Sequence, residues 1–148
     1  MNFIEVNGTA LRYELSGHGA STLVLIHEMG GTLESWDIVR FRLAGRRGIL
    51  GSDPRGAGLS QKVTGALSID TMTDDLVALL DALGLTGRVV LAGVAVGGAI
   101  ALRTAVRHPQ RVAAVVVSRT TPAPSLNAMV FSSPAASPPL MFAPYCKL

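Results

Sequence analysis

The sequence predicts an α/β protein: a mostly parallel sheet opened by an antiparallel hairpin, with helices on both faces. Three observations carry this. Helix-like and strand-like segments alternate between residues 22 and 118. Two of the strand-like runs, TLVLI (22–26) and VAAVVVS (112–118), are continuously apolar, as strands buried on both faces require. The chain also opens with two strand-like segments around Asn7-Gly8, a dipeptide that favours a tight hairpin turn. Helices that link parallel strands cross over right-handedly, which gives an open sheet covered on both sides. With 148 residues there is room for one domain and a real core.

The elements follow in order. After Asn7-Gly8, Leu11, Tyr13 and Leu15 alternate with Arg12 and Glu14, which gives the second strand one apolar face. TLVLI ends at HEMGG, and Thr32 or Ser35 is placed to cap a helix carrying Trp36, Ile38, Val39 and Leu43. GILGS (48–52) is a weak strand by propensity, with two glycines and a serine. In SIDTMTDDLVALLDALG, Met72, Leu76, Leu79, Leu80 and Leu83 follow helical spacing, and Gly84 supplies a stop. RVVLA (88–92) then reads as a strand, followed by a small-residue helix to about His108-Pro109 and by the strand VAAVVVS.

At Arg119 the composition changes. No acid follows, and six of the eight prolines fall in residues 119–148. Proline removes backbone donors and disfavours helix in the residue before it, so 119–148 is expected to be an irregular, proline-rich tail after a core of 1–118. The segment VAAVVVS has no internal charge or proline and fits the profile of an aggregation-prone window, so self-association is expected wherever it stands as an edge strand.

Composition excludes several function classes. Of the formal charge of +3, Arg119 and Lys147 supply two, so residues 1–118 carry 11 bases and 10 acids. No basic stripe with interleaved aromatics appears, and nucleic acid is not an expected partner. Histidines 18, 27 and 108 lack ligand spacing, so no metal is expected. Neither GAGLS nor GVAVGG fits a dinucleotide fingerprint, and no cofactor is expected. The uncharged run Val89–Leu102 is 14 residues, short of the roughly 20 that cross a bilayer. With the single Cys146 and no signal-like N-terminus, the expected address is the cytoplasm.

The stretch LAGVAVGGAIAL (91–102) carries the chemistry question. It reads as a strand, a sharp turn and a helix, with Ala95 at the apex and Gly93 and Gly97 two positions to either side. Side chains at those flanking positions would clash in such a turn, and Gly98 lets the helix approach the sheet. Together with LVLIHEMGGTLESWD and DPRGAGLS, in this order, it makes residues 3–118 resemble the α/β-hydrolase superfamily. The nearest group is the small bacterial esterases, lactonases and haloperoxidase-like enzymes that include 3-oxoadipate enol-lactonase.

The resemblance implies a truncated α/β-hydrolase fold acting on a small-molecule ester or lactone, with Ala95 where the nucleophilic serine belongs. It also implies oxyanion-type donors at the backbone N–H groups of Met29 and Val96. Its later triad members, an acid and a histidine, have no counterpart after Asp81 and His108. His27-Glu28 replaces the usual histidine–glycine pair. Glu28 is either a substitute base or nucleophile facing the apex, or an acid that is solvated or paired with Arg55. Asp53 and Arg55 read as loop-fixing residues, and His27 as a support of its loop or a catalytic base. Three functions remain open: a hydrolase-like chain without a competent triad, an enzyme working through Glu28 and the oxyanion donors, or a binding module.

Overall fold

The structure, a computed structural model, describes residues 1–43, 45–118, 128–132 and 141–144. The hairpin forms as expected: β1 (Asn2–Val6) and β2 (Thr9–Ser16) pair antiparallel. Asn7 and Gly8 both take positive φ, 49° and 69°, the geometry of a two-residue turn matched to strand twist. β3 (Thr22–Ile26) follows, then a 3₁₀ turn (Leu33–Trp36) running into α1 (Asp37–Leu43). Next come β4 (Gly48–Ser52), α2 (Ile69–Ala82), β5 (Val89–Val94), α3 (Val96–Arg107) and β6 (Val112–Ser118). Two further strands are β7 (Ala128–Ser132) and β8 (Met141–Pro144).

The sheet has the order β1-β2-β4-β3-β5-β6-β7-β8. β4, β3, β5 and β6 run parallel, and antiparallel strands flank them on both sides. Period-two alternation divides the core. Val24 and Ile26 of β3, with Leu91 of β5, face α2 and α3 through Leu76, Leu79, Leu80 and Ile100. Leu23 and Leu25, with Ile49 and Ala92, face Trp36, Val39 and Leu43 on the other side. Ser68 caps α2 by accepting from the Thr71 N–H at 3.0 Å, and Gly84 (φ 69°) ends it.

Three expectations need correction. β6 is not an edge: β7 pairs with it from Ala114↔Ser132 to Ser118↔Ala128. Nor is the tail irregular throughout, because β7 and β8 extend the same sheet past residue 118. The prolines do not prevent this, since AMVFS holds none and Pro144 falls on the last position of β8. β4, weak by propensity, is buried at all five positions. A Cβ on Gly51 would meet Leu33 Cδ1 at 3.3 Å, so the missing side chain makes room for the 3₁₀ turn packed over the strand. On α1, Val39 and Leu43 turn onto the sheet and Ile38 is 73 % exposed. Among the described residues, no helix is long and apolar enough to cross a membrane.

Candidate functional site

The apex between β5 and α3 is held by backbone proximity. Ala95 sits at φ 50°, ψ −115°, a region that costs a non-glycine residue on the order of 1–3 kcal/mol. Its N–H donates to the Ser118 carbonyl at 3.3 Å, which ties the turn to the end of β6. A Cβ on Gly93 would lie 2.2 Å from the Gly97 carbonyl oxygen. One on Gly97 would lie 2.2 Å from the Ile26 carbonyl oxygen and 2.7 Å from that of His27. These contacts are backbone against backbone and cannot yield, so both glycines are required. Gly98 differs: its Cβ would meet Val117 Cγ1 at 2.7 Å, a side-chain contact. The methyl of Ala95 stands exposed on top.

Beside the apex lies a cavity of about 370 Å³. Val96 lines it from the α3 side, His27, Glu28, Met29 and Gly30 from the loop after β3, and Arg55, Gly56 and Lys62 from the loop after β4. The structure thus brings Glu28, Met29 and Val96 around one space, with Met72 of α2 and Ile100 of α3 as its apolar walls. Met29 keeps its side chain largely in solvent, at 79 % exposure. Met72 is legible in the sequence only as part of a helical apolar stripe, and Lys62 carries no sequence signal. Lys62 Nζ donates to the carbonyls of Gly58 at 2.6 Å and Gly56 at 3.2 Å, stitching its loop to itself.

Glu28 is partly exposed and is not paired with Arg55. Its Oε1 accepts from the Ser35 hydroxyl at 3.3 Å, and it lies so close over Gly31 that a Cβ there would fall 2.6 Å away. Arg55 is engaged elsewhere. Its Nε and Nη2 donate to the two oxygens of buried Asp75 on α2, each at 2.7 Å, and Nη2 reaches the Asn7 carbonyl at 3.2 Å. Asn7 Nδ2 completes the clamp on Asp75 at 3.1 Å. One guanidinium therefore fixes the hairpin turn, α2 and the loop after β4 together.

Asp53 organises the other wall. It is fully buried; Oδ1 accepts from the Leu33 N–H at 2.7 Å and Oδ2 from the Leu59 N–H at 2.8 Å. Arg12 Nη1 adds a longer contact at 3.4 Å and also binds Glu34, whose carboxylate receives both guanidinium ends. That pairing, aided by the Thr32 hydroxyl at 2.6 Å, lowers the Glu34 pKa from 4.5 to about 2. His27 is buried beneath the loop. Its Nδ1 lies 2.8 Å from the Glu28 carbonyl, which only accepts, so Nδ1 carries the proton. Its Nε2 faces Asp53 Oδ1 at 3.4 Å without a hydrogen bond. Through these contacts His27, Asp53 and Arg55 brace the loops around the cavity.

Among the described residues, no cluster of three or more potential ligands could hold a metal ion. At the apex the structure shows a strained turn that carries a methyl group beside this cavity.

Known proteins match this fold. Residues 21–141 match the family described as alpha/beta hydrolase fold. The chain is 39% identical over 112 residues to the dihydrolipoyllysine-residue acetyltransferase component of the acetoin cleaving system of Pseudomonas putida, covering 75% of this chain and 30% of that relative. It superposes on the enol-lactonase from Burkholderia xenovorans LB400 with a TM-score of 0.71 and 31% identity, covering 75% of this chain and 44% of that one. It also superposes on a thermophilic esterase from Thermogutta terrifontis, with a TM-score of 0.75 and 29% identity, covering 80% and 45% of the two chains. The chain therefore spans less than half the length of each of these three relatives.

Proposed function

This chain belongs to the α/β-hydrolase fold family, and we propose that it keeps the carbonyl-holding part of an ester or lactone site while lacking the nucleophile. The observation that carries this is Ala95 at φ 50°, ψ −115°: the elbow geometry is present and its apex is a methyl group. A methyl has no lone pair with which to attack a carbonyl carbon and no proton to pass to a base. The N–H groups of Met29 and Val96, residues that line one cavity, are backbone donors and do not depend on a serine hydroxyl. In this reading they hold the carbonyl oxygen of a small ester or lactone against the apolar wall of Met72 and Ile100. Donors and binding alone retain roughly 10³–10⁴ over water in a protease stripped of its triad, which bounds what they could contribute here.

A second reading rests on Glu28, the carboxylate that lines the cavity. There it acts as general base on a water, and a carboxylate in a dry pocket can be tuned toward that task. Its hydrogen bond from Ser35 favours the first reading, since a carboxylate engaged by a hydroxyl is less available to take a proton from water. One experiment separates the two: hydrolysis of activated esters and enol-lactones by the purified chain and by Glu28→Gln, with ligand binding followed in parallel. The expected result is saturable binding of the lactone with hydrolysis at the buffer rate, in Ala95→Ser as well. Turnover that disappears in Glu28→Gln would establish the second reading and end the first.

A further inference from the structure

The cavity beside the apex carries a negative charge that no described residue answers. Of the described residues that line it, His27, Glu28, Arg55 and Lys62 have ionisable side chains, and Glu28 is the one acid among them. Arg55 is engaged by both carboxylate oxygens of Asp75. Arg12 is shared between Glu34 and Asp53. His27 Nδ1 lies against the backbone carbonyl of Glu28 and not against its side chain. Among the described residues Glu28 has no ion-pair partner, and its carboxylate hydrogen bond comes from the neutral Ser35 hydroxyl.

This carboxylate is placed to meet a ligand. A carboxylate offers about four acceptor positions, so one hydroxyl leaves most of them open. The side chain is partly buried, and it belongs to the residue just before Met29, whose N–H is the carbonyl donor in the reading above. Lys62 is the other lining charge without an ion pair. It is exposed, and its ammonium is turned onto the carbonyls of Gly56 and Gly58.

We infer that the cavity takes a carbonyl compound whose acyl arm bears an ammonium group, with Glu28 as its counter-ion. The inference rests on the carbonyl-holding reading and adds the class of ligand to it. Water screens a partly buried pair less than an exposed one, and an ammonium donates charge-assisted hydrogen bonds to the open acceptor positions. Leu67, Met72 and Ile100 give the uncharged remainder of the ligand an apolar wall. An arm ending in a carboxylate meets Glu28 as a like charge and is disfavoured. In this role Glu28 positions the ligand and passes no proton, unlike a general base.

Three esters of similar shape test this: ethyl 3-aminopropanoate, ethyl butanoate and monoethyl succinate, whose acyl arms end in an ammonium, a methyl and a carboxylate. Calorimetry at neutral pH measures their binding to the full chain. The expected dissociation constant of the ammonium ester is at least about threefold below that of the neutral ester, the scale of a partly exposed ion pair. The succinate ester should bind most weakly. The preference should shrink as salt is raised and disappear in Glu28→Gln at unchanged Tm. Ethyl butanoate binding as tightly as the ammonium ester, a preference indifferent to salt, or one that survives in folded Glu28→Gln would overturn the inference and leave the carbonyl-holding reading in place. Tightest binding of the succinate ester would do the same and assign recognition to Lys62. Binding by none of the three would remove both.

Discussion

Replacing Asp53 by asparagine tests whether one buried carboxylate holds both walls of the cavity. The substitution keeps the shape and removes half of the acceptors. If Oδ1 continues to accept from Leu33, the new amide NH₂ is aimed at the Leu59 N–H, donor against donor; if the amide flips, Leu33 loses its partner. Either way one backbone N–H is left without an acceptor, at about 1–3 kcal/mol, and the Arg12 contact weakens as the charge disappears. Leu59 is half exposed and water compensates it in part, so the total comes to about 2–4 kcal/mol. For a chain of this size that is a fall in Tm of about 5–15 °C. Thermal unfolding followed by circular dichroism measures it. An Asp53→Asn variant that melts within about 2 °C of the wild type would show that the carboxylate is not what fixes these loops.

Three further outcomes are expected. Ala95→Gly should raise stability by about 1 kcal/mol in urea, because glycine takes φ 50° without the strain that alanine bears; destabilisation would mean that the turn is not strained. Glu34 titrates at about 2 rather than 4.5, so the stability it contributes is complete above about 4.5 and lost as pH falls toward 2. Urea midpoints between pH 5 and 2 should therefore fall less steeply in Glu34→Gln than in the wild type; its half-exposed side chain keeps the difference small. Val115→Lys should unfold the chain instead of solubilising it, because Val115 is 1 % exposed in the core and its strand is paired on both sides; a soluble, cooperatively melting variant would contradict that placement.

Much of this architecture was legible because the decisive signals are local. Asn7-Gly8 specifies its own turn, TLVLI its own burial, and Gly93, Gly97 and Gly98 the steric needs of a single bend. What the sequence concealed depends on partners far along the chain. β4 reads poorly because its glycines lower propensity, whereas Gly51 is there to admit Leu33, eighteen positions earlier. Asp75 looks like one more acid on a helix until Arg55 and Asn7 close on it across 20 and 68 positions. The pairing of β7 was hidden by the prolines around it, which flank the strand without entering it. At the site, the strained bend could be anticipated from spacing. The turn of Glu28 toward Ser35 could not, since a rotamer depends on neighbours in space.

The strand order also constrains how the chain can be made. β3 lies at the centre, between β4, which follows it closely, and β5, whose first residue is 63 positions beyond the end of β3. During synthesis, β4 can therefore join β3 early while the opposite margin of β3 stays unpaired. Pairings this distant in sequence close slowly. For that interval Val24, Leu25 and Ile26 form an open apolar strand on the nascent polypeptide, the kind of surface that recruits either chaperones or other unfinished chains.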